Sequence, residues 1–299
     1  MRYFKSYASI IRDAPGPESD PSLKESLVSR LIANLRQLFR YRVLIQSLVG
    51  RELKARYRGT VLGFFWSFFN PFLLMVVYTA VFGLILQPRD ADFMSKPLVY
   101  ALFLFSGLLP WQWFVASTLE SSTVLMTNGN LLKKILFPAE VLPVVTVTAN
   151  MVHFLFGLPI LFILIPLLGG HFSFYMLFLP VVVFVQYVYC LSLSLLISAL
   201  TVHFRDIRDI LGNLMTFWFF ATPVIYSMNL PQIQKYPALR TLLNLNPMTH
   251  IIGGYHSALY YGELIHWKKL GVTFLVSLVF FALGYAVFDR LRDSFPEEV

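Results

Sequence analysis

Apolar residues along this chain come in long blocks, separated by short polar or basic interruptions. Six blocks are long enough for a helix to cross a hydrocarbon core of roughly 30 Å. They cover about 61–86, 98–125, 142–167, 174–202, 209–227 and 270–288. Pro110 lies inside the second block and is expected to kink it. Between the fifth and sixth lies a semi-polar stretch, 228–269, whose apolar pieces (251–261, for example) are too short to span comfortably. Such pieces read as re-entrant or surface helices, because broken backbone at membrane depth needs protein or water over its ends.

Ahead of the first block the pattern is amphipathic. Leu27, Leu31, Leu35 and Leu38 recur at steps of three and four. From Leu44 to Arg58, Ile45, Val49, Leu53 and Tyr57 fall roughly in line, while Arg51, Lys54 and Arg58 share another face. Glu52 and Arg56 interrupt the apolar arc. A basic amphipathic helix of this kind lies in the headgroup plane; packing on a partner protein is the other reading. Residues 1–26 include the run APGPESDPS, with Pro15, Pro17 and Pro21, and read as an irregular tail. The expected fold is an all-α integral membrane protein. It has a cytoplasmic tail at 1–26, an amphipathic interfacial helix region at 27–60, and a domain of six transmembrane helices at 61–299 with short helices between spans five and six.

Composition supports the bilayer as solvent. The chain is 57% hydrophobic and 13% charged, against about a quarter charged in soluble domains. Its net charge of +8 would suggest nucleic acid, but the basic residues sit mostly between apolar blocks, which is the positive-inside pattern. With a cytoplasmic N-terminus, the inner loops and ends carry Arg42, Arg51, Lys54, Arg56 and Arg58, then Lys133 and Lys134, Arg205 and Arg208, and Arg290 and Arg292. The outer side has six basic residues, of which Lys268 and Lys269 sit against the rule. Both termini are therefore expected inside. The first 40 residues hold no apolar core followed by a small-residue cleavage site, so no cleaved leader is expected. Cys190 is the only cysteine, which excludes an intramolecular disulfide and a thiolate cluster.

The catalytic motifs sought are absent. There is no G-x-x-x-x-G-K-[ST], no H-E-x-x-H, no C-x-x-C and no G-x-S-x-G. No ATP site is therefore expected on this chain. Asp90 and Asp92 have D-x-D spacing but read as a solvated loop on the outer side, where sugar nucleotides are absent. His153, within an apolar block, reads as a core histidine. Glu120, near the inner end of span two, is an ionisable residue in a span and so a functional candidate; snorkelling to the headgroups is the plainer reading. No chain of Asp, Glu and His crosses the spans, which argues against proton coupling or a channel with charged rings.

Two features carry more. Residues 127–140, TNGNLLKKILFPAE, join spans two and three: Asn128 starts a turn, Leu131 to Phe137 suits about two helical turns, and Pro138 ends it. Such a piece is either a knob for docking into a partner or a plain connector. The spans also carry aromatic residues at mid-depth, with amides beside them: Trp66, Phe69, Asn70 and Tyr78 in span one, and Asn213, Phe217 and Trp218 in span five. Aromatic faces with a few amides suit sliding contact with sugar rings; lipid-facing and packing roles are the plain alternative.

Several segments resemble the integral-membrane permeases of ABC transporters that export bacterial polysaccharides, namely O-antigen, capsule and teichoic acid. They are Arg51–Gly83 at the approach to span one, Leu104–Phe114, Asn128–Val144, Phe204–Ser227 and Leu243–Gly262, in that order. The resemblance implies a homodimer with two separate ATPase subunits that hold ATP and magnesium. It implies that Arg51, Lys54 and Arg58 of the N-terminal helix, with Asn128, Leu131, Lys133 and Lys134, couple to those ATPases. It implies a path between the copies for a lipid-linked polysaccharide, lined by spans one and five, in a multi-pass protein of the bacterial inner membrane. A drug or lipid exporter of the same architecture is the alternative; a membrane glycosyltransferase is the second, and it lacks a convincing catalytic carboxylate.

Overall fold

A computed structural model describes residues 40–59, 63–85, 97–133 and 137–299. The 1–26 tail, the Leu27–Leu38 periodicity, Asp90, Asp92 and Lys134 lie outside the described residues. Among the described residues every regular element is helical.

Among the described residues, four helices are long and apolar enough to cross a membrane. These are α3 (Pro97–Thr127), α5 (Val141–Leu167), α6 (Leu179–His203, entered by a 3-10 stretch from Phe174) and α11 (Trp267–Leu291). The blocks expected as spans one and five hold shorter helices. The first, α2 (Trp66–Tyr78), follows a 3-10 turn at Gly63–Phe65 and passes into a π-helical stretch, Thr79–Ile85. The other, α7 (Ile207–Phe220), stops short of the expected end at 227. Pro223 explains the early end, since it disfavours helical backbone at the residue before it. α3 runs on through Pro110.

The centre of the bundle is α3, packed against α2, α5, α6 and α7. Phe103, Leu104, Phe105 and Phe114 on it are fully buried. Polar groups inside the bundle are matched across helices: the buried Gln186 amide donates to the Pro110 carbonyl at 2.7 Å, and Trp113 Nε1 to the Val147 carbonyl at 3.3 Å. Several span hydroxyls return to carbonyls one turn back, as Thr118 does to Phe114 at 2.8 Å and Ser277 to Thr273 at 2.7 Å, whereas the Ser117 and Ser121 hydroxyls are buried with no partner among the described residues.

Shorter helices collect at the two ends. At the near end lie α1 (Arg42–Tyr57), the single turn α4 (Gly129–Leu132) and α12 (Phe295–Glu298). At the far end lie α8 (Pro231–Lys235), α9 (Pro237–Leu245) and α10 (Pro247–His256). Each far-end helix opens on proline, whose missing N–H costs nothing in a first turn and whose fixed φ suits a helix start. The semi-polar stretch between the last two blocks is thus folded as short helices.

Candidate functional site

The near end is built around the basic helix. The apolar side of α1 rests on α5, with Leu48 and Val49 buried against Val141, Val145 and Ala149. That face is therefore covered by protein rather than left free for lipid. Arg51, Lys54 and Arg58 remain exposed. Arg56, which breaks the apolar arc in sequence, reaches into the bundle instead. Its Nη2 donates to both oxygens of Glu120 at 2.8 Å, and its Nη1 donates to Asn150 Oδ1 at 3.0 Å. Asn150 Nδ2 donates in turn to Glu120 Oε2 at 2.7 Å. Arg56, Glu120 and Asn150 close a ring that ties α1, α3 and α5 together.

The chemistry of this knot is electrostatic and positional. A forked guanidinium on a carboxylate is a strong, directional pair. Asn150, 2% exposed, fixes the orientation of both charged partners. Neither Arg56 nor Asn150 stands out in the sequence as a site residue. The usable signal was that two ionisable groups of opposite sign, Arg56 and Glu120, each sat where a lone charge would be costly.

Beside the knot is a cavity of about 400 Å³ lined by Arg56, Asn150, His153, Gln112, Trp66 and Asn70, among others. Two of the sequence-predicted path residues, Trp66 and Asn70, are thus brought to the knot. Phe69 is exposed and meets Trp66 edge-on at 5.8 Å. The others divide by face. Asn213 and Phe217 lie on the exposed side of α7. Tyr78 and Trp218 turn toward protein: Tyr78 lies 6.0 Å from the Phe219 ring, and Trp218 packs edge-on against Phe114 at 5.2 Å. Trp218 Nε1 also donates to Asn246 Oδ1 at 2.9 Å. Asn246 accepts from Met248 N as the cap of α10 and donates to the Ala221 carbonyl and the Thr222 hydroxyl, which fastens the far-end helices to the end of α7.

The segment after α3 is a compact turn. Asn128 accepts backbone hydrogen bonds from Leu131 at 2.8 Å and Leu132 at 3.3 Å, and its amide donates to the Val124 carbonyl at 2.9 Å. Leu131 is half-buried, Leu132 is buried and Lys133 is exposed. The described helical part is the turn Gly129–Leu132, and residues 134–136 of the two turns expected over Leu131–Phe137 lie outside the described residues. Gly129 packs closely on the end of the chain: a Cβ on it would stand 2.5 Å from a methyl of the Val299 side chain, which would have to move aside. Nearby, burial pushes the Glu140 carboxyl above the usual carboxylate range, while its backbone hydrogen bond and Arg292 pull it down. Among the described residues no group of His, Cys, Asp and Glu is placed to hold a metal.

The family described as ABC-2 type transporter matches residues 43–260 of this chain. The O-antigen export system permease protein RfbA of Myxococcus xanthus is 37% identical over 269 residues, covering 90% of this chain and all of that relative. A Klebsiella pneumoniae protein of the same name is 27% identical over 266 residues, covering 88% of this chain and 96% of its own. The polysialic acid transport protein KpsM of Escherichia coli is 21% identical over 258 residues, covering 85% of this chain and 95% of its own.

Proposed function

Since the chain belongs to the ABC-2 type transporter family, we propose that it is the permease subunit of an ATP-driven exporter. Its cargo is a lipid-linked polysaccharide of the O-antigen type, moved from the cytoplasmic to the outer side of the bacterial inner membrane. The observation that carries this reading is the 37% identity with an O-antigen export permease along that relative's full length. The absence of a phosphate-binding loop in the sequence agrees with ATP hydrolysis on separate partner chains.

In this reading the chain crosses the membrane six times, α2 and α7 being the two short crossings, with both termini in the cytoplasm. Two copies face each other across the glycan path and each engages one ATPase. The exposed apolar faces of α2 and α7 support that arrangement: Val77 is 56% exposed and Phe217 78%. Phe69, Asn70, Asn213 and Phe217 line the path, while Trp218 and Tyr78 hold the lining helices in place. Lys133 and Lys134 dock on the ATPase beside Leu131 and Asn128, and Arg51, Lys54 and Arg58 meet it from the N-terminal helix. A push on α1 reaches α3 and α5 through Arg56, Glu120 and Asn150, since that ring resists shear between them, and a push on α4 reaches α3 directly through the turn at Asn128.

Deleting the gene and analysing polyprenyl-linked glycans of the inner membrane tests the reading. Loss of a surface glycan with the same glycan accumulating inside is the expected result. Normal surface glycan with no accumulation overturns it, and loss of the glycan on both sides indicates a synthetic enzyme.

A further inference from the structure

The far end encloses a second cavity, of about 830 Å³, within the roughly 300–1,000 Å³ typical of small-ligand sites. It is bounded by the start of α3, the turn after α5, and α8 to α11. None of Phe69, Asn70, Asn213 or Phe217 lines it, so it is separate from the path between the copies. We propose that this cavity is a carbohydrate-binding site within each copy, which holds a short stretch of glycan as it leaves the membrane; the proposal rests on the export reading above.

The lining carries both halves of sugar recognition. Tyr260 and Tyr261 line the cavity and pack edge-on against each other at 4.8 Å and against Phe103 at 5.3 and 6.4 Å, which makes an aromatic wall suited to the apolar C–H side of a pyranose. Asn229 and Glu263, both exposed, offer donor and acceptor groups for ring hydroxyls. Arg240 and Lys269 add cationic donors on one side. Lys269 reaches Asn244 Oδ1 at 3.4 Å, and His250 Nε2 lies 2.8 Å from the Asn244 carbonyl, so α9, α10 and α11 are tied around the opening. Lys269 is one of the two lysines that break the positive-inside pattern, and a place in the cavity accounts for it. A phosphate site would gather cations without a carboxylate, whereas here Glu263 shares the lining. Four histidines line the cavity, but no metal-holding group forms among the described residues.

Gly253 lies mid-helix in α10 on the cavity wall, and a Cβ there would meet nothing within 4 Å. A large side chain there would therefore extend into the cavity.

The test uses the purified full-length permease in lipid nanodiscs. The probe is oligosaccharide released by mild acid from the surface polysaccharide of the host strain, with binding read by saturation-transfer NMR and calorimetry. Wild type should bind. Gly253→Phe, which fills the cavity, should abolish binding, Gly253→Ala should retain it, and Arg240→Ala should weaken it about tenfold. In cells, Gly253→Phe should lower surface glycan and raise the lipid-linked form inside. If Gly253→Phe fails to fold, Arg240→Ala and Asn229→Ala, both at exposed positions, decide the matter. No binding by wild type, or unchanged binding by those variants, overturns the site. A gene deletion that leaves surface glycan normal removes the export reading itself, whereas a strain that needs the permease for surface glycan but whose permease binds no oligosaccharide removes only this site.

Discussion

Helices α3 and α7 carry similar apolar and aromatic side chains and end in opposite surroundings. In α3, 78% of the most apolar window is buried inside the bundle. In α7 only Leu211, Met215 and Phe219 are buried, one per turn, while Ile210 is 61% exposed and Phe217 78%. Lipid is as apolar as leucine, so hydrophobicity alone does not decide which helix goes to the centre. Packing and polar contacts decide it. α3 is held on several sides, including by Gln186, Asn150 and Trp113. α7 is attached through fewer points, chiefly Trp218, Phe219 and the Asn246 cap. The contrast separates a helix buried on nearly all sides from one with a face left exposed in the single chain.

The sharpest way to break that contrast is in α3. Phe114→Ala removes a ring stacked on Tyr189 and packed against Trp218, and should cost about 3–5 kcal/mol. Folded yield and thermal unfolding of the purified permease check it, and unchanged yield would mean that α3 is no scaffold. Next is Glu120→Gln, which leaves Arg56 without its counter-charge. The loss should be about 1.5–3 kcal/mol, with reduced export, and adding Arg56→Gln should restore yield without restoring export. Wild-type export and yield in Glu120→Gln would reduce Glu120 to a snorkelling residue. Trp218→Phe keeps one aromatic ring but removes the pyrrole half of the indole with its hydrogen bond to Asn246, for a loss of at least about 1 kcal/mol; increased hydrogen exchange across 221–248 should accompany it. The smallest stability effect is expected for Phe217→Ala, within about 0.5 kcal/mol, although surface glycan should fall if Phe217 lines the path. A destabilisation as large as that of Phe114→Ala would place Phe217 in a packed core and erase the distinction.

The long helices were legible because lipid demands continuous apolar runs. The block at 142–167 starts one residue after α5 (Val141–Leu167), and 98–125 lies inside α3 (Pro97–Thr127). The short ones were less so. The block at 209–227 overran α7 because apolar residues continue past Phe220, where Pro223 has already ended the helix. Within the candidate site, Glu120 stood out as a charge in a span. Its partner did not, since Arg56 is 64 residues away and looked like a flaw in an amphipathic pattern. The faces of Phe217 and Trp218 were equally hidden: adjacent residues point about 100° apart around a helix, and periodicity alone did not say which of the two directions meets protein.

Local composition and spacing alone specify the medium, the helical class and the absence of a phosphate-binding loop. The tertiary structure decided which charges meet, which aromatic faces stay open, and where cavities form between helices. Those outcomes depend on contacts between residues far apart in the chain, and a run of apolar letters is compatible with many such arrangements until the helices pack.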